Sequence, residues 1–478
     1  MITTFFANAH TAIAETVAHA DKTGTFTTPM IVSMVIFLIT YFFIATEKID
    51  KTIAAILGAS AIVLAHAADL KKVIHHIDLE VIGLLIGMML IVNSLATTGV
   101  FEWLAIKIAK KAKGNALLIL IELLIITAVL SALLDNVTTV ILIAPITILI
   151  TQILELPTVP FLILEAVFSN IGGTSTLVGD PPNILIGTHQ SALAVAAEHK
   201  TLSFMDFIVN LGPVVVVIMI ISIIIVMFFM KKRLKVSPEA VERIERTRPE
   251  LAIINPKGLL ICSIIFIFVM VGFLFGRTWH LEPSLFAIVG GILMVFFCKH
   301  NLHHSLEKVE WGTIMFFVGL FMLIGALQEN GIFKILGEAI VDLTKGNLLL
   351  TAIVILWSSA ILSAIVDNIP LVMAMIPVIS TIVPEFGDAL GVQDPEVLKT
   401  AVENPLLWSL ALGACLGGNG SLVGASANVV IAQIAKKNKY KLSFGNFTAV
   451  GLPLMIVSLI ISTGYIYIII HFAQNSIK

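Results

Sequence analysis

The sequence predicts an all-α polytopic membrane protein built from two inverted-topology repeats. Each repeat has about five spanning helices, one of them broken, plus one re-entrant hairpin. Three observations predict this. First, hydrophobic residues make up 58% of the 478-residue chain and charged residues only 13%, with a mean hydropathy of +1.03. A soluble protein of this length needs far more charge to cover its surface. Second, Ser131-Ala-Leu-Leu-Asp135-Asn136 returns 232 residues later as Ser363-Ala-Ile-Val-Asp367-Asn368, each inside an otherwise apolar stretch. Third, a glycine-broken apolar stretch follows each of these segments. Alternating polar and apolar segments, the mark of a membrane barrel, are absent.

Residues 1–29 carry His10, Glu15, His19, Asp21 and Lys22, with no basic region followed by an apolar core. They read as an extra-membrane segment rather than a cleaved signal peptide. Apolar runs of spanning length lie near 30–46, 52–70 and 80–98. From Phe101 to Lys113, apolar and basic faces separate at helical spacing, which predicts a helix lying in the membrane interface. The hairpin 115–153, the broken stretch 158–188 and a run near 207–230 complete a first repeat spanning 30–230. Residues 231–256 form a linker with Lys231, Lys232, Arg233, Lys235, Arg243, Arg246 and Arg248. The second repeat, 257–472, follows the same order. Its runs lie near 257–276, 283–298, 312–329 and 448–471, its interfacial segment at 333–345, its hairpin at 347–383 and its broken stretch at 405–432. An acidic loop is expected at 384–404.

The repeat extends well beyond the Asp-Asn pairs. At the same offset Gly87 matches Gly319, Gly99-Val-Phe101 matches Gly331-Ile-Phe333, and Gly114-Asn115 matches Gly346-Asn347. At an offset of 245, Gly172-Gly173 matches Gly417-Gly418 and Asn183 matches Asn428; at 240, Pro213 matches Pro453. Shared membrane composition does not keep Gly, Pro, Asp and Asn in register over such a length, so the repeat is real. Five spans are odd in number, so the second repeat is inverted. The basic linker is then cytoplasmic, and so are Lys107, Lys110, Lys111 and Lys113 and the run Lys436 to Lys441. Both termini fall outside. Lys71-Lys72 is the exception to the charge pattern.

A carboxylate in the bilayer core is costly unless it faces a cavity, a partner or an ion. Asp135 and Asp367 are therefore candidate carriers, although each could also serve as an N-cap at its hairpin tip. The first broken stretch reads Ser169-Asn170-Ile-Gly-Gly-Thr174-Ser175-Thr176-Leu-Val-Gly179-Asp180-Pro-Pro-Asn183. A continuous helix does not tolerate Gly-Gly and then Gly-Asp-Pro-Pro. Unwound backbone survives in a membrane only where it lines a cavity or is buried in protein. The second broken stretch has Asn419, Ser421 and Asn428 but places Ala425 opposite Asp180. Carbonyls, hydroxyls and amides at such breaks are hard oxygen ligands, and half-helix ends add partial charge. Glu122 and Glu165 also lie in apolar runs, where each could reach an interface. The net charge of −2 gives no reason to expect nucleic acid. No Gly-Lys-Ser/Thr nucleotide loop occurs, and Cys262, Cys298 and Cys415 have neither metal-ligand nor disulfide spacing.

The Leu-Leu-Asp135-Asn136-Val-Thr138-Thr and Ser169-to-Asn183 motifs resemble those of the ion transporter superfamily, and within it the NhaD-type sodium/proton antiporters. The resemblance covers nearly the whole chain from about residue 30. It implies a homodimer with a scaffold part and a transport part of two hairpins and two broken helices, and elevator-like alternating access. Related carboxylate transporters carry Ser-Asn-Thr at the hairpin tips, where this chain has Asp135-Asn136 and Asp367-Asn368. An Asp suits a cation where a neutral Ser suits an anion. The expected function is exchange of cytoplasmic Na⁺, and of Li⁺, for external H⁺ across a bacterial-type inner (plasma) membrane. No cofactor is expected beyond the transported ions, and no partner beyond the lipid bilayer and a second copy. Na⁺ is expected at Asp135, Asn136, Asp367 and Asn368, with Thr138, Ser169, Asn170, Thr174, Thr176, Asp180, Asn183, Asn419, Ser421 and Asn428 as ligands or orienting groups. The alternatives are a proton- or sodium-coupled anion carrier, of dicarboxylate or arsenite type, and, remotely, an intramembrane aspartyl protease, since paired aspartates can form a catalytic dyad.

Overall fold

A computed structural model of the chain describes residues 27–46, 48–113, 115–189, 201–231, 248–392 and 394–477, with scattered positions between 234 and 242. Nearly all of the N-terminal segment, Gly114 of the repeat, and most of the linker's basic residues lie outside the described residues. All described elements are helical. The first half runs α1 Thr28–Thr46, α2 Lys51–Leu64, α3 Leu70–His75, α4 Leu79–Ala96, α5 Val100–Lys111, α6 Ala116–Leu133, α7 Asn136–Ile153, α8 Thr158–Gly173, α9 Pro181–Thr188 and α10 Phe204–Met230. The second half runs α11 Pro256–Phe275, α12 Pro283–Phe297, α13 Leu302–Glu307, α14 Trp311–Glu329, α15 Ile332–Thr344, α16 Leu348–Ser363, α17 Asn368–Leu390, α18 Asn404–Gly417, α19 Ser426–Lys437 and α20 Phe444–Ile477.

The sequence offset of 232 carries the first residue of each helix from α2 to α7 onto the first residue of α12 to α17. The caps explain the agreement. Asp50, Asp69, Asp78, Asn115 and Asp135 each accept a backbone N–H at the start of their helices, and Asn301, Asn347 and Asp367 do so in the second half. Gly99 and Gly331, another matched pair, adopt φ of +80° and +75° just before α5 and α15, a conformation that costs glycine little.

Among the described residues, nine helices are long and apolar enough to cross a membrane, α6 and α7 included. The run at 52–70 gives a shorter helix than expected. At 14 residues α2 is about 21 Å long, against a hydrocarbon core of about 30 Å. It ends because His66 turns left-handed at φ 53° and the Ala67 N–H bonds back to the Ile62 carbonyl at 3.1 Å. The acidic loop at 384–404 is also shorter than expected. Helix α17 continues through Pro384 until Gly391 closes it at φ 68°, and Pro395–Leu398 and Lys399–Glu403 are already helical on the approach to α18.

The chain divides into two compact units, and each draws on both sequence halves. One comprises the described residues up to Ile77 together with Met315–Leu336. Its core is Ala59, Ile62, Ala67, Val73, Leu323 and Ala326. The backbone of Gly319 passes so near α2 that a Cβ there would lie 2.8 Å from the Ala55 carbonyl carbon. Lys72, the charge exception, is neutralised here by Glu329 at 3.1 Å, which His76 also meets at 3.4 Å. The other unit comprises Asp78–Ile314 and Gly337–Lys478. Its α4 packs on α12 through the repeat-related crossing, where a Cβ on Gly87 would lie 2.3 Å from the Ala287 carbonyl carbon. Small residues bring membrane helices into such close contact. Both hairpins, both broken stretches and α10 to α12 belong to this second unit.

Candidate functional site

In the second unit, the starts of α7, α9, α17 and α19 are tied together by side-chain hydrogen bonds. Each tip aspartate caps the helix that follows it. The Asp135 carboxylate accepts the Thr138 N–H at 2.8 Å, and the Thr138 hydroxyl donates to its other oxygen. Asp367 accepts the Ile369 N–H at 3.5 Å and the Ser426 hydroxyl at 2.8 Å. The caps hold the carboxylates in place without consuming all their acceptor capacity.

Asn170, fully buried at the end of α8, is the hub. Its Oδ1 accepts from Asn136 Nδ2 at 3.1 Å. Its Nδ2 donates to Asn419 Oδ1 at 2.9 Å and to Asn428 Oδ1 at 3.1 Å. On the far side, Asn368 Nδ2 faces both oxygens of Asp180 at 3.4 Å. Asp180 is fully buried, and Asp367 and Asp135 both lie within its electrostatic reach. A ring thus runs from Asn136 through Asn170 to α19, from Ser426 to Asp367 and from Asn368 to Asp180, and closes through Asn183 of α9, Thr176 and the Ala132 carbonyl beside the first tip. Two buried atoms in it have no hydrogen-bond partner, Asn136 Oδ1 and Asn419 Nδ2. Among the described residues no three His, Cys, Asp or Glu side chains cluster as a metal-binding group. The carboxylates are spaced by amides rather than gathered at one point.

The unwound segments are held by a repeated device. Asn183 Nδ2 donates to the carbonyls of Gly173, Thr174 and Thr176 at 3.2, 3.1 and 2.9 Å. Asn428 Nδ2 donates to those of Gly418 and Ser421 at 2.8 and 2.9 Å. These bonds satisfy carbonyls that the breaks release from the helices. Ser131 donates to the Ser169 carbonyl at 2.7 Å, and its counterpart Ser363 to the Ala414 carbonyl at 2.6 Å. The glycines permit the close passage: a Cβ on Gly172 would meet the Ala128 carbonyl oxygen at 2.1 Å.

The other residues named from sequence divide by where their hydroxyls go. Ser169 donates to the Asn136 carbonyl at 3.0 Å and so holds the first tip. Thr174 donates back to the Asn170 carbonyl at 2.7 Å, and Thr176 to the Ala132 carbonyl at 2.5 Å. Ser421 accepts the Val423 N–H at 3.3 Å. Sequence reasoning did not single out Ser426 or Cys415. Ser426 meets Asp367 directly. Cys415, the counterpart of Asn170 at the 245 offset, donates to Asn183 Oδ1 at 3.5 Å, as Asn170 donates to Asn428. At that offset Ser426 falls on Pro181 and Cys415 on Asn170, so no match of residue type marked either. Glu165, which by sequence could reach an interface, does not: it is 1% exposed, because α8 is enclosed by other helices. The cysteines Cys262 and Cys298, far apart in sequence, have sulfur atoms 3.1 Å apart as free thiols.

Comparison with known proteins gives a consistent class. A family profile described as "Citrate transporter" (CitMHS) matches residues 41–402. A "46 kDa membrane protein" of Mycobacterium leprae is 37% identical over 92% of this chain and 98% of its own length. An "uncharacterized transporter" of Synechocystis is 32% identical over 92% of this chain and 97% of its own length. The human "P protein" is 30% identical over 96% of this chain, which spans 62% of that longer relative. The crystal structure of the Alcanivorax borkumensis YdaH transporter superposes with a TM-score of 0.54 at 13% identity, covering 84% of this chain and 88% of that one, a likeness of fold. The protein is a multi-pass membrane transporter and not an enzyme, which removes the protease alternative.

Proposed function

The chain belongs to the citrate transporter family, and from that premise we propose that it exchanges cytoplasmic Na⁺, and Li⁺, for external H⁺ as an NhaD-type antiporter. The observation that carries this reading is the ring of acids and amides: Asp135, Asp180 and Asp367 beside Asn136, Asn170 and Asn368. Every oxygen it offers is a hard ligand suited to Na⁺, and each carboxylate can hold a proton instead. An anion entering the ring would meet three carboxylates. Na⁺ is taken by Asp135 and Asn136 at one tip and Asp367 and Asn368 at the other. The unit holding the ring moves elevator-like within a homodimer in the plasma membrane.

A second reading, an anion carrier coupled to Na⁺ or H⁺, is favoured by the family's description and by one feature of the ring. The α19 N-terminus follows Ala425 and carries no side-chain cap, so its amides could attract an anion. Proteoliposomes loaded with a pH-sensitive dye separate the two. Under antiport, Na⁺ and Li⁺ gradients drive proton flux and a dicarboxylate gradient does not. Proton or Na⁺ flux that requires the dicarboxylate would replace the first reading with the second.

The proposed topology, with inverted repeats, hairpins that turn back within the membrane and both termini outside, has its own check. Single cysteines at Ser237 and Ser476, in a variant lacking Cys262, Cys298 and Cys415, are expected to react with an impermeant thiol reagent from opposite sides. Labelling of both from one side would contradict it.

A further inference from the structure

Glu165 lies outside the ring, yet it is a carboxyl buried in the membrane region. It sits on α8 about one turn before Ser169. The Thr147 hydroxyl of α7 donates to its Oε1, and its Oε2 has no partner. Burying a carboxyl with one oxygen unpaired is costly relative to an apolar side chain of similar size. The second repeat makes the same helix pair without that cost: Leu410 stands at the position of Glu165 and Ile379 at that of Thr147. Packing therefore needs neither residue, and the two are absent together.

The surroundings point to a proton rather than a metal ion. The elements packed on α8 are α6, α7, α10, α18, α19 and α20. Their titratable residues are Glu122 on α6, Asp206 on α10, Cys415 on α18, Lys436 and Lys437 on α19, and Tyr465, Tyr467 and His471 on α20. Helix α7 has none, and α8 has only Glu165. Thr147 is the hydrogen-bond partner of the carboxyl. A single carboxyl with one hydroxyl is too few ligands for Na⁺ but suffices for H⁺. Beyond Thr147, Thr151 meets Thr158 at 2.9 Å, hydroxyl to hydroxyl, beside the α7–α8 turn at 154–157. The three threonines set polar groups between that turn and Glu165. In the other direction Thr139, fully buried on α7 and without a partner, lies one turn from Asn136.

We propose that Glu165 with Thr147 is a second proton-binding site of the transport unit, on the proton's way between the α7–α8 turn and the ring. Glu165 takes up a proton from the side of the turn, hands it on toward the ring, and is left ionised for the next. This rests on the antiport reading for its place in the cycle. The presence of the protonated carboxyl does not.

The test uses the full-length protein in proteoliposomes, as wild type, as Glu165→Gln and as the double variant Glu165→Leu/Thr147→Ile, which copies the second repeat. Equilibrium binding of radiolabelled Na⁺ is expected to stay at the wild-type value in both variants. The initial rate of Na⁺-driven proton flux is expected to fall by at least about tenfold. Infrared difference spectra across a pH step are expected to hold a carboxylic acid band that Glu165→Gln removes. Unchanged flux, Na⁺ binding lost together with flux, or failure of both variants to fold would each overturn the proposal. A wild type without any Na⁺-driven proton flux would refute antiport instead. The infrared band alone would then decide for Glu165, its absence in the wild type overturning the site.

Discussion

Asp135→Asn and Asp367→Asn are each expected to reduce Na⁺-driven proton flux to the level of empty liposomes while leaving the protein folded. Asn caps a helix as well as Asp does, so the Thr138 and Ile369 amides keep their acceptor. What the substitution removes is the negative charge that would hold Na⁺ and the group that would hold H⁺. The two variants need not be equal in stability. The Asp135 cap is the closer, at 2.8 Å against 3.5 Å, and Asp367 also accepts from Ser426 on another helix. Alanine at either position would lose the cap too, about 1 kcal/mol, and would confuse the two effects. Wild-type exchange in a correctly inserted asparagine variant would reduce that aspartate to a structural cap.

Asn170→Ala is expected to have the largest effect on stability of any single polar substitution in the ring. It strands Asn136 Nδ2, Asn419 Oδ1 and Asn428 Oδ1, all buried. Each orphaned group costs about 1–3 kcal/mol. The thermal midpoint in detergent should fall well below that of Asn136→Ala, which strands one group, and exchange should be lost. A midpoint equal to wild type would mean that water replaces the amide and that the hub is not structural.

Much of this architecture was legible because polar residues are rare in the chain and stand out. Asp, Asn, Gly and Pro kept their register over both halves, and the same residues turned out to start helices, break them and close the ring. The sequence offset placed the first residue of α7 onto that of α17 because Asp135 and Asp367 are caps as well as candidate carriers. Other features depended on partners that no local pattern reveals. Glu165 looked like a residue that could reach an interface; only the crossing of α7 and α8 sets it against Thr147. Thr174 and Thr176 looked like ligands by type, but their protons go to nearby carbonyls. Ser426 and Cys415 were hidden because their counterparts, Pro181 and Asn170, differ in chemistry, so the repeat did not flag them. The division into two units was equally hidden, since each unit takes helices from both halves, as with α2 and α14.

The central claim is that Na⁺ and H⁺ compete for one set of carboxylates, and a binding measurement without any gradient tests it most directly. Na⁺ binds the ionised form, so adding Na⁺ to detergent-solubilised protein in weak buffer is expected to release protons. Apparent Na⁺ affinity is expected to weaken as pH falls, by up to about tenfold per pH unit for each proton displaced. The release is expected to fall or vanish in Asp135→Asn and Asp367→Asn. A Na⁺ affinity that stays flat from mildly acidic to alkaline pH, with no proton release, would contradict the shared site and leave separate paths for the two ions.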